Sequence, residues 1–288
     1  VEGIHFDMSF TPLKHLGYKS VIVNISDIYA MNAIPTHITV NLGISSKYTL
    51  EAIDELYDGI LLACKKYKVD IIGGDITSCL NGLTISITVI GEGNENEIVR
   101  RSGAKENDLL VTTGDLGGAY MGLNVLQREK EVWKNNQNMQ PELDNFNYIL
   151  ERQLKPEARK DIIESFKDNN IKPTSMIDIS DGLASEIFHI CKSSNVGCQV
   201  YEDKIPIDSE TYKTSMDFNI NPTISALNGG EDYELLFTIN QKDYEKIKND
   251  PKITVIGHIT KKDQGINLVG KGNTLTPLKA QGWNHFNS

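Results

Sequence analysis

From Leu50 to Cys64 the apolar positions recur at helical spacing, with Leu50, Ile53, Leu56, Tyr57, Ile60, Leu61 and Cys64 forming one stripe behind Thr49, a residue suited to cap a helix N-terminus. This pattern predicts an amphipathic helix over 49–67. The period then changes to two: Leu83, Ile85, Ile87 and Val89 alternate with polar residues, as a half-buried strand requires. Short apolar runs at 21–26, 71–72, 108–113, 176–180, 233–239 and 254–259 read as further strands, and 156–166 and 183–194 as helices. Residues 128–156 are charged, amide-rich and weakly periodic around Trp133, which predicts helical segments joined by a mobile loop over one face.

The polar, turn-rich stretch 92–97 separates two such series of elements, so a domain boundary is expected near residue 102, giving domains of 1–102 and 103–288. A chain of 288 residues exceeds the usual size of a single core, and no internal repeat or low-complexity tract interrupts it. Strands and helices mix in both halves. The expected fold class is therefore α/β or α+β.

Charge narrows the partners. With 29 Lys and Arg against 39 Asp and Glu, the formal charge of −10 disfavours broad contact with a nucleic-acid backbone or an anionic membrane. No apolar run approaches the roughly 20 residues that span a bilayer, and the N-terminus has no basic-then-apolar signal pattern. Cys64, Cys79, Cys191 and Cys198 form no CxxC pair and lie in periodic segments, so reduced structural thiols and a cytoplasmic location are expected.

Candidate chemistry begins with four aspartates. Asp27, Asp75, Asp178 and Asp181 each sit where an apolar, strand-like run gives way to a glycine or a helix start. In the third run, a period of two puts Asp178 and Ser180 on one strand face and leaves Asp181 at the turn, able to cap the next helix. Singly, each aspartate reads equally as a cap or turn residue. Jointly, beside Gly73, Gly74, Gly182, Gly229 and Gly230, they point to hard oxygen ligands for Mg²⁺ and phosphate. The glycine-rich stretch 114–122 follows a strand and can either present helix N-terminal amides to a phosphate or permit tight packing; it is not a Walker sequence. His37, His189 and His258 lie in apolar or periodic surroundings, whereas His5 sits in a turn-like segment where a ligand role and a packing role are evenly matched. No local Ser/His/Asp or Cys/His arrangement signals a covalent hydrolase. Phosphoryl transfer to an acceptor that is itself a phosphate needs no general base, because that oxygen is already largely ionised near neutral pH.

In order, the motifs Val1-Glu2-Gly3-Ile4-His5-Phe6, Asn24-Ile25-Ser26-Asp27, Gly73-Gly74-Asp75, Arg101-Ser102-Gly103-Ala104, Asp178-Ile179-Ser180-Asp181-Gly182, Gly229-Gly230-Glu231-Asp232-Tyr233-Glu234 and Gly282-Trp283-Asn284-His285-Phe286 closely resemble the thiamine-monophosphate kinase family of the aminoimidazole-ribonucleotide-synthetase-like ATP-binding superfamily. The resemblance spans nearly the whole chain. It implies a two-domain fold whose N-terminal sheets pair in a homodimer, with ATP in a cleft between domains, and Mg-dependent transfer of the ATP γ-phosphoryl group to thiamine monophosphate. By the same resemblance Asp27, Asp75, Asp178 and Asp181 bind several Mg²⁺ ions, with Asp27 and Asp181 at the catalytic centre. Gly74, Asp75, Arg101 and Ser180 contact ATP, and His5, Glu231 and Trp283 hold thiamine phosphate. Arg101 suits phosphate and the Trp283 indole suits a cationic aromatic ring; the alternatives are a solvated Arg100-Arg101 pair, a packing tryptophan and an Asx-type turn at 230–232. Family members also carry a Gly-Asp-Asp-type motif and a further metal-binding aspartate upstream of the Val1-Glu2-Gly3 segment, so part of the metal cage is expected to be missing from these 288 residues. That departure motivates a non-catalytic nucleotide or thiamine-phosphate binder as one alternative; an aminoimidazole ribonucleotide synthetase-like ATP-dependent ligase is the enzymatic one.

Overall fold

The computed structural model describes residues 1–279. The chain opens with helix α1 (Leu13–Ala30), strand β1 (Ile34–Ile44), helix α2 (Leu50–Tyr67) and strands β2 (Asp70–Ser78) and β3 (Leu83–Glu92). These strands form a sheet of order β2-β1-β3, with β1 parallel to β2 and antiparallel to β3. The helix expected over 49–67 is α2, and Thr49 Oγ1 accepts from the Ala52 amide at 3.3 Å at its N-terminus.

The second series comprises β4 (Leu109–Thr113), α3 (Gly118–Asn135), α4 (Asn147–Leu154), α5 (Lys160–Asp168), β5 (Ser175–Asp178), α6 (Leu183–Ser194), β6 (Gly197–Tyr201), α7 (Ser209–Asp217), α8 (Pro222–Asn228), β7 (Leu235–Ile239), α9 (Tyr244–Ile247), β8 (Ile253–Thr260), β9 (Ile266–Val269) and β10 (Leu275–Pro277). Its sheet has the order β10-β9-β6-β8-β4-β7-β5. Alternation along the central strands buries both faces. Val111, Met176, Leu235 and Phe237 join one core with Ile22, Ile25 and Ile60 of the first helices, while Leu110, Ile177 and Leu236 face Ile187 and Ile190 of α6. One apolar core therefore runs from the three-stranded sheet and its helices into the larger sheet. Met121, Val125 and Ile149 form a smaller core between α3 and α4.

Two strand expectations fail instructively. The β-branched run at 21–26 lies inside α1, where Val21, Ile22, Ile25 and Tyr29 are all buried; core packing on a helical stripe outweighs the modest helix penalty of Val and Ile. Asp27 therefore projects from a helix and does not end a strand. The strand at 71–72 does not stop at the glycines but continues through Asp75 to Ser78, because β1 pairs alongside it as far as Ile44 opposite Ser78. Gly74 permits that approach: a Cβ there would lie 1.9 Å from the Val40 carbonyl oxygen. Boundaries also move. The helix expected from 156 begins at Lys160, β5 ends at Asp178 before Ser180, and Gly182, with φ of 102°, occupies the N-cap position that Asp181 was expected to fill.

Helices α1 and α2 cross at reciprocal glycines. A Cβ on Gly17 would sit 2.0 Å from the Leu56 carbonyl oxygen, and one on Gly59 would sit 1.9 Å from that of Lys14. Gly59→Ala should consequently destabilise the fold by about 1–3 kcal/mol, despite alanine's better helix propensity, because backbone must move apart. Gly73→Ala, whose Cβ would meet nothing within 4 Å, serves as the control; thermal melting of the two variants checks the contrast.

Candidate active site

Packing of α1 against the end of β5 brings Ser26, Asp27 and Asp178 together: Ser26 Oγ donates to Asp178 Oδ2 at 2.7 Å. Asp178 is 4% exposed. Burial, reinforced by the neighbouring Asp27 charge, pushes its carboxyl up to about 6, although the Ser26 hydrogen bond and Arg101 act in the opposite sense. Asp27 opens into the adjoining cleft, yet the walls around it also raise its carboxyl above the usual range against the pull of Arg101. The cleft has a volume of about 380 Å³ and is lined by Asp27, Met31, Arg100, Arg101, Asp178 and Ser193, among others.

The turn after β5 adds a second acidic layer. Glu186, in the first turns of α6, is buried and accepts from the Asp181 amide at 3.1 Å and from Ser180 Oγ at 3.5 Å. Burial, with the Asp178 and Asp181 charges, lifts its carboxyl to about 7. Sequence reasoning missed this residue, and the only available signal was an acid inside the apolar stripe of a predicted helix, five residues beyond Asp181.

Facing that turn, the segment from Gly230 to Glu234 runs back along it. Glu231 and Tyr233 both adopt positive φ, of 67° and 52°, and are held there by Glu231 N–H donating to the Ser180 carbonyl at 2.8 Å and Tyr233 N–H to that of Ile179 at 2.9 Å. Side chains rarely occupy this region without compensation, and such strain concentrates at functional sites. Glu231 Oε2 accepts from Lys19 Nζ at 3.0 Å and from Gln153 Nε2 at 2.9 Å. The buried Tyr233 phenol is held well above its usual value by burial and by the surrounding charges of Glu231, Asp178, Asp181 and Asp27. Four of the acids singled out in the sequence thus contribute to the field at one tyrosine.

Beneath this segment lies a buried ionic network that sequence reasoning also missed. Arg152 and Arg159 donate to the two oxygens of Glu234 at 2.9 and 2.7 Å, and Thr113 Oγ1 donates to Oε2 at 2.6 Å. Asp232, fully buried, accepts from the Gly117 and Ala119 amides at 2.8 and 3.4 Å. Two amides at the start of α3 are therefore satisfied by the protein's own carboxylate, and a Cβ on Gly122 would lie 2.1 Å from the Ile149 carbonyl oxygen. Stretch 114–122 is a packing element, the second of its two readings.

The remaining candidates are placed differently. Gly74 and Asp75 lie on β2, exposed at the edge of the smaller sheet, and Asp75 does not line the cleft. His5 is exposed in the N-terminal turn, its Nδ1 3.2 Å from the Val1 amino group. Trp283 falls outside the described residues. Among the described residues, no three His, Cys, Asp or Glu side chains come close enough to hold a metal by themselves. The donor set nonetheless suits Mg²⁺, which takes one or two carboxylates and completes its shell with water and substrate phosphate: Asp27 and Asp178 line the same cleft, with Arg101 as the positive charge on its wall.

The sequence and the α/β fold that carries these carboxylates both have known counterparts. Family models for AIR synthase related protein match the chain over residues 1–92 (N-terminal domain) and 105–267 (C-terminal domain), and the chain belongs to that family. Within it, the chain falls among the thiamine-monophosphate kinases. It is 35% identical over 291 residues to the thiamine-monophosphate kinase of Bacillus subtilis (strain 168), covering 99% of this chain and 86% of the relative. With that of Buchnera aphidicola subsp. Schizaphis graminum it shares 39% over 294 residues, covering 99% and 84%. Among solved structures, AaThiL complexed with AMPPCP and TMP superposes with a TM-score of 0.83 at 27% identity, covering 99% of this chain and 84% of that one. The thiamine-monophosphate kinase of Stenotrophomonas maltophilia K279a superposes at 0.79, with 27% identity and coverage of 92% and 81%. Hydrogenase maturation protein HypE in complex with ATP, at 15% identity and a TM-score of 0.73, shares the fold.

Proposed function

We propose that this protein transfers the γ-phosphoryl group of ATP to thiamine monophosphate, giving thiamine diphosphate and ADP. The observation that carries this reading is the placement of Asp27 and Asp178 on one cleft with Arg101, in a chain similar over 99% of its length to thiamine-monophosphate kinases. Two polyanions must be brought together, and the acceptor oxygen arrives ionised, so the protein's task is positioning and charge neutralisation rather than proton abstraction. Asp27 and Asp178, which both line the cleft, are the residues that would hold Mg²⁺, which when bound supplies the positive charge that lets the phosphates approach; Asp75 lies outside that cleft on the edge strand β2. Arg101 contributes fixed positive charge at the cleft wall. Glu186 fixes the Ser180-Asp181 turn through the Asp181 amide, and the hydrogen bonds from Glu231 and Tyr233 to β5's extension hold the opposite wall. Lys19 and Gln153 orient Glu231, whose carboxylate complements the cationic rings of the acceptor.

The rest of the reading concerns assembly and place. The chain works as two domains, 1–102 and 103–288, and as a homodimer through the smaller sheet. In support, β2 is an edge strand that leaves Ile72 and Ile76 each 55% exposed. A cytoplasmic location agrees with four free thiols and with the finding that, among the described residues, no helix is long and apolar enough to cross a membrane.

Incubation of the full chain with Mg-ATP and thiamine monophosphate, followed by chromatographic identification of products, tests the proposal. Thiamine diphosphate is expected only when both substrates and the protein are present. A folded preparation that binds ATP yet forms none would sink it.

A further inference from the structure

A second concavity, of about 370 Å³, lies at the far end of β5 from Asp178 and is lined by Lys105, Lys172, Lys242, Lys246, Asn170, Thr174, Asn240 and Asp243. We propose that it binds the phosphate groups of a small polyanion. The chain carries a formal charge of −10, yet four lysines gather here against one lining aspartate, Asp243, while the buried Asp108 behind the recess accepts from the Thr174 hydroxyl at 2.7 Å and the Lys105 amide at 2.9 Å. Asp243 is already paired with Lys246 at 2.8 Å. Among the described residues, Lys105, Lys172 and Lys242 have no carboxylate partner within ion-pair distance. Two of the ammonium groups are also anchored: Lys172 donates to the Asn96 carbonyl, and Lys246 to that of Asn170 at 2.8 Å. Main-chain carbonyls fix these groups without cancelling their charge. Solvated surface lysines normally spread apart or pair with acids, because like charges held together repel. Three uncompensated ammonium groups around one recess instead focus a positive field in it, which is the electrostatic requirement for phosphate capture.

Two segments connect the recess to the catalytic cleft, although the two have no lining residue in common. Lys105 follows Arg101 in one segment, and Thr174 leads directly into β5, whose Met176 amide donates to the Arg100 carbonyl at 3.0 Å and whose last residue is Asp178. The site is distinct from the one that carries the proposed kinase activity, and binding there is measured without turnover.

Isothermal titration of the full chain with inorganic diphosphate, without Mg²⁺ and in low salt, reads the site in an Arg101→Ala background that removes the cleft's own anion contact. Saturable binding is expected in that background, and adding Lys105→Ala and Lys242→Ala should weaken it at least ~10-fold, the loss of charge-assisted contacts. Both lysines are exposed, so an unchanged melting temperature is expected and establishes that the variant is folded. A parallel titration with ADP separates the sources: affinity equal to that of diphosphate means the phosphates alone are recognised, and higher affinity means a nucleotide is. Binding that survives the two lysine substitutions unchanged, or that vanishes with Arg101→Ala alone, overturns the proposal.

Discussion

Replacing Glu234 by alanine should destabilise the protein by about 3–5 kcal/mol, the largest effect expected from any single truncation of a polar side chain here. Glu234 is 1% exposed and accepts from Arg152, Arg159 and Thr113. Burial works against the Arg152 guanidinium, but the carboxylates of Glu234, Asp232 and Asp115 outweigh it and keep its pKa above the usual range. Without Glu234, two largely buried guanidinium groups lose their shared counter-charge, and the Arg152 Nε is already without a partner. The loss reaches the active site as well, because Ile179 N–H donates to the Glu234 carbonyl and the strained Glu231 and Tyr233 precede it. Urea unfolding should show a lower midpoint at unchanged slope. Lys248→Ala, which removes only the exposed contact with Glu245, should leave the midpoint in place. Equal behaviour of the two variants would show that the buried network contributes nothing.

Asp178→Asn should reduce turnover by roughly 10²–10³-fold or more while making the protein more stable at pH 8. The substitution keeps the shape and an oxygen for the Ser26 hydroxyl but removes the charge. In the folded state burial and Asp27 raise the Asp178 carboxyl to about 6, above the roughly 4 of an unfolded chain. The folded state therefore binds the proton more tightly. Stability from this group is fully present below about pH 4 and is lost as the pH rises through about 6, a difference of order 3 kcal/mol at pH 8. Asparagine does not titrate, so the variant should gain over wild type across that window and match it at pH 4. Paired turnover and unfolding measurements at both pH values check this. A purely structural aspartate would lose stability on substitution, whereas one retained for charge at a reactive centre loses function and gains stability.

The elements legible from sequence are those whose signal is local. Helix α2 and its Thr49 cap, β3 with its period of two, and α6 between Leu183 and Ser194 each follow from neighbouring residues on one face. Asp27, Asp178, Asp181 and Glu231 could be named because their motifs stand in a characteristic order; the structure puts Asp27 and Asp178 on one cleft and bonds the Glu231 amide to the Ser180 carbonyl next to Asp181. Glu186 and Lys19 were invisible: each is one charged residue on a helix, and only a contact with the Asp181 amide or with Glu231, 212 positions away, distinguishes it.

The sequence by itself determined the chemistry available, namely which acids, which arginine and which glycines, together with the short-range elements whose hydrophobic period is unambiguous. Tertiary structure decided the rest. It made 21–26 a helix because a helical stripe places Ile22, Ile25 and Tyr29 in the core shared with Phe237, and it carried β2 past its glycines because β1 supplied hydrogen-bond partners. It also raised the Asp178 and Glu186 carboxyls, because desolvation and like charge depend on which residues fold around a group. Pairing, burial and field are long-range quantities, and a local pattern carries none of them.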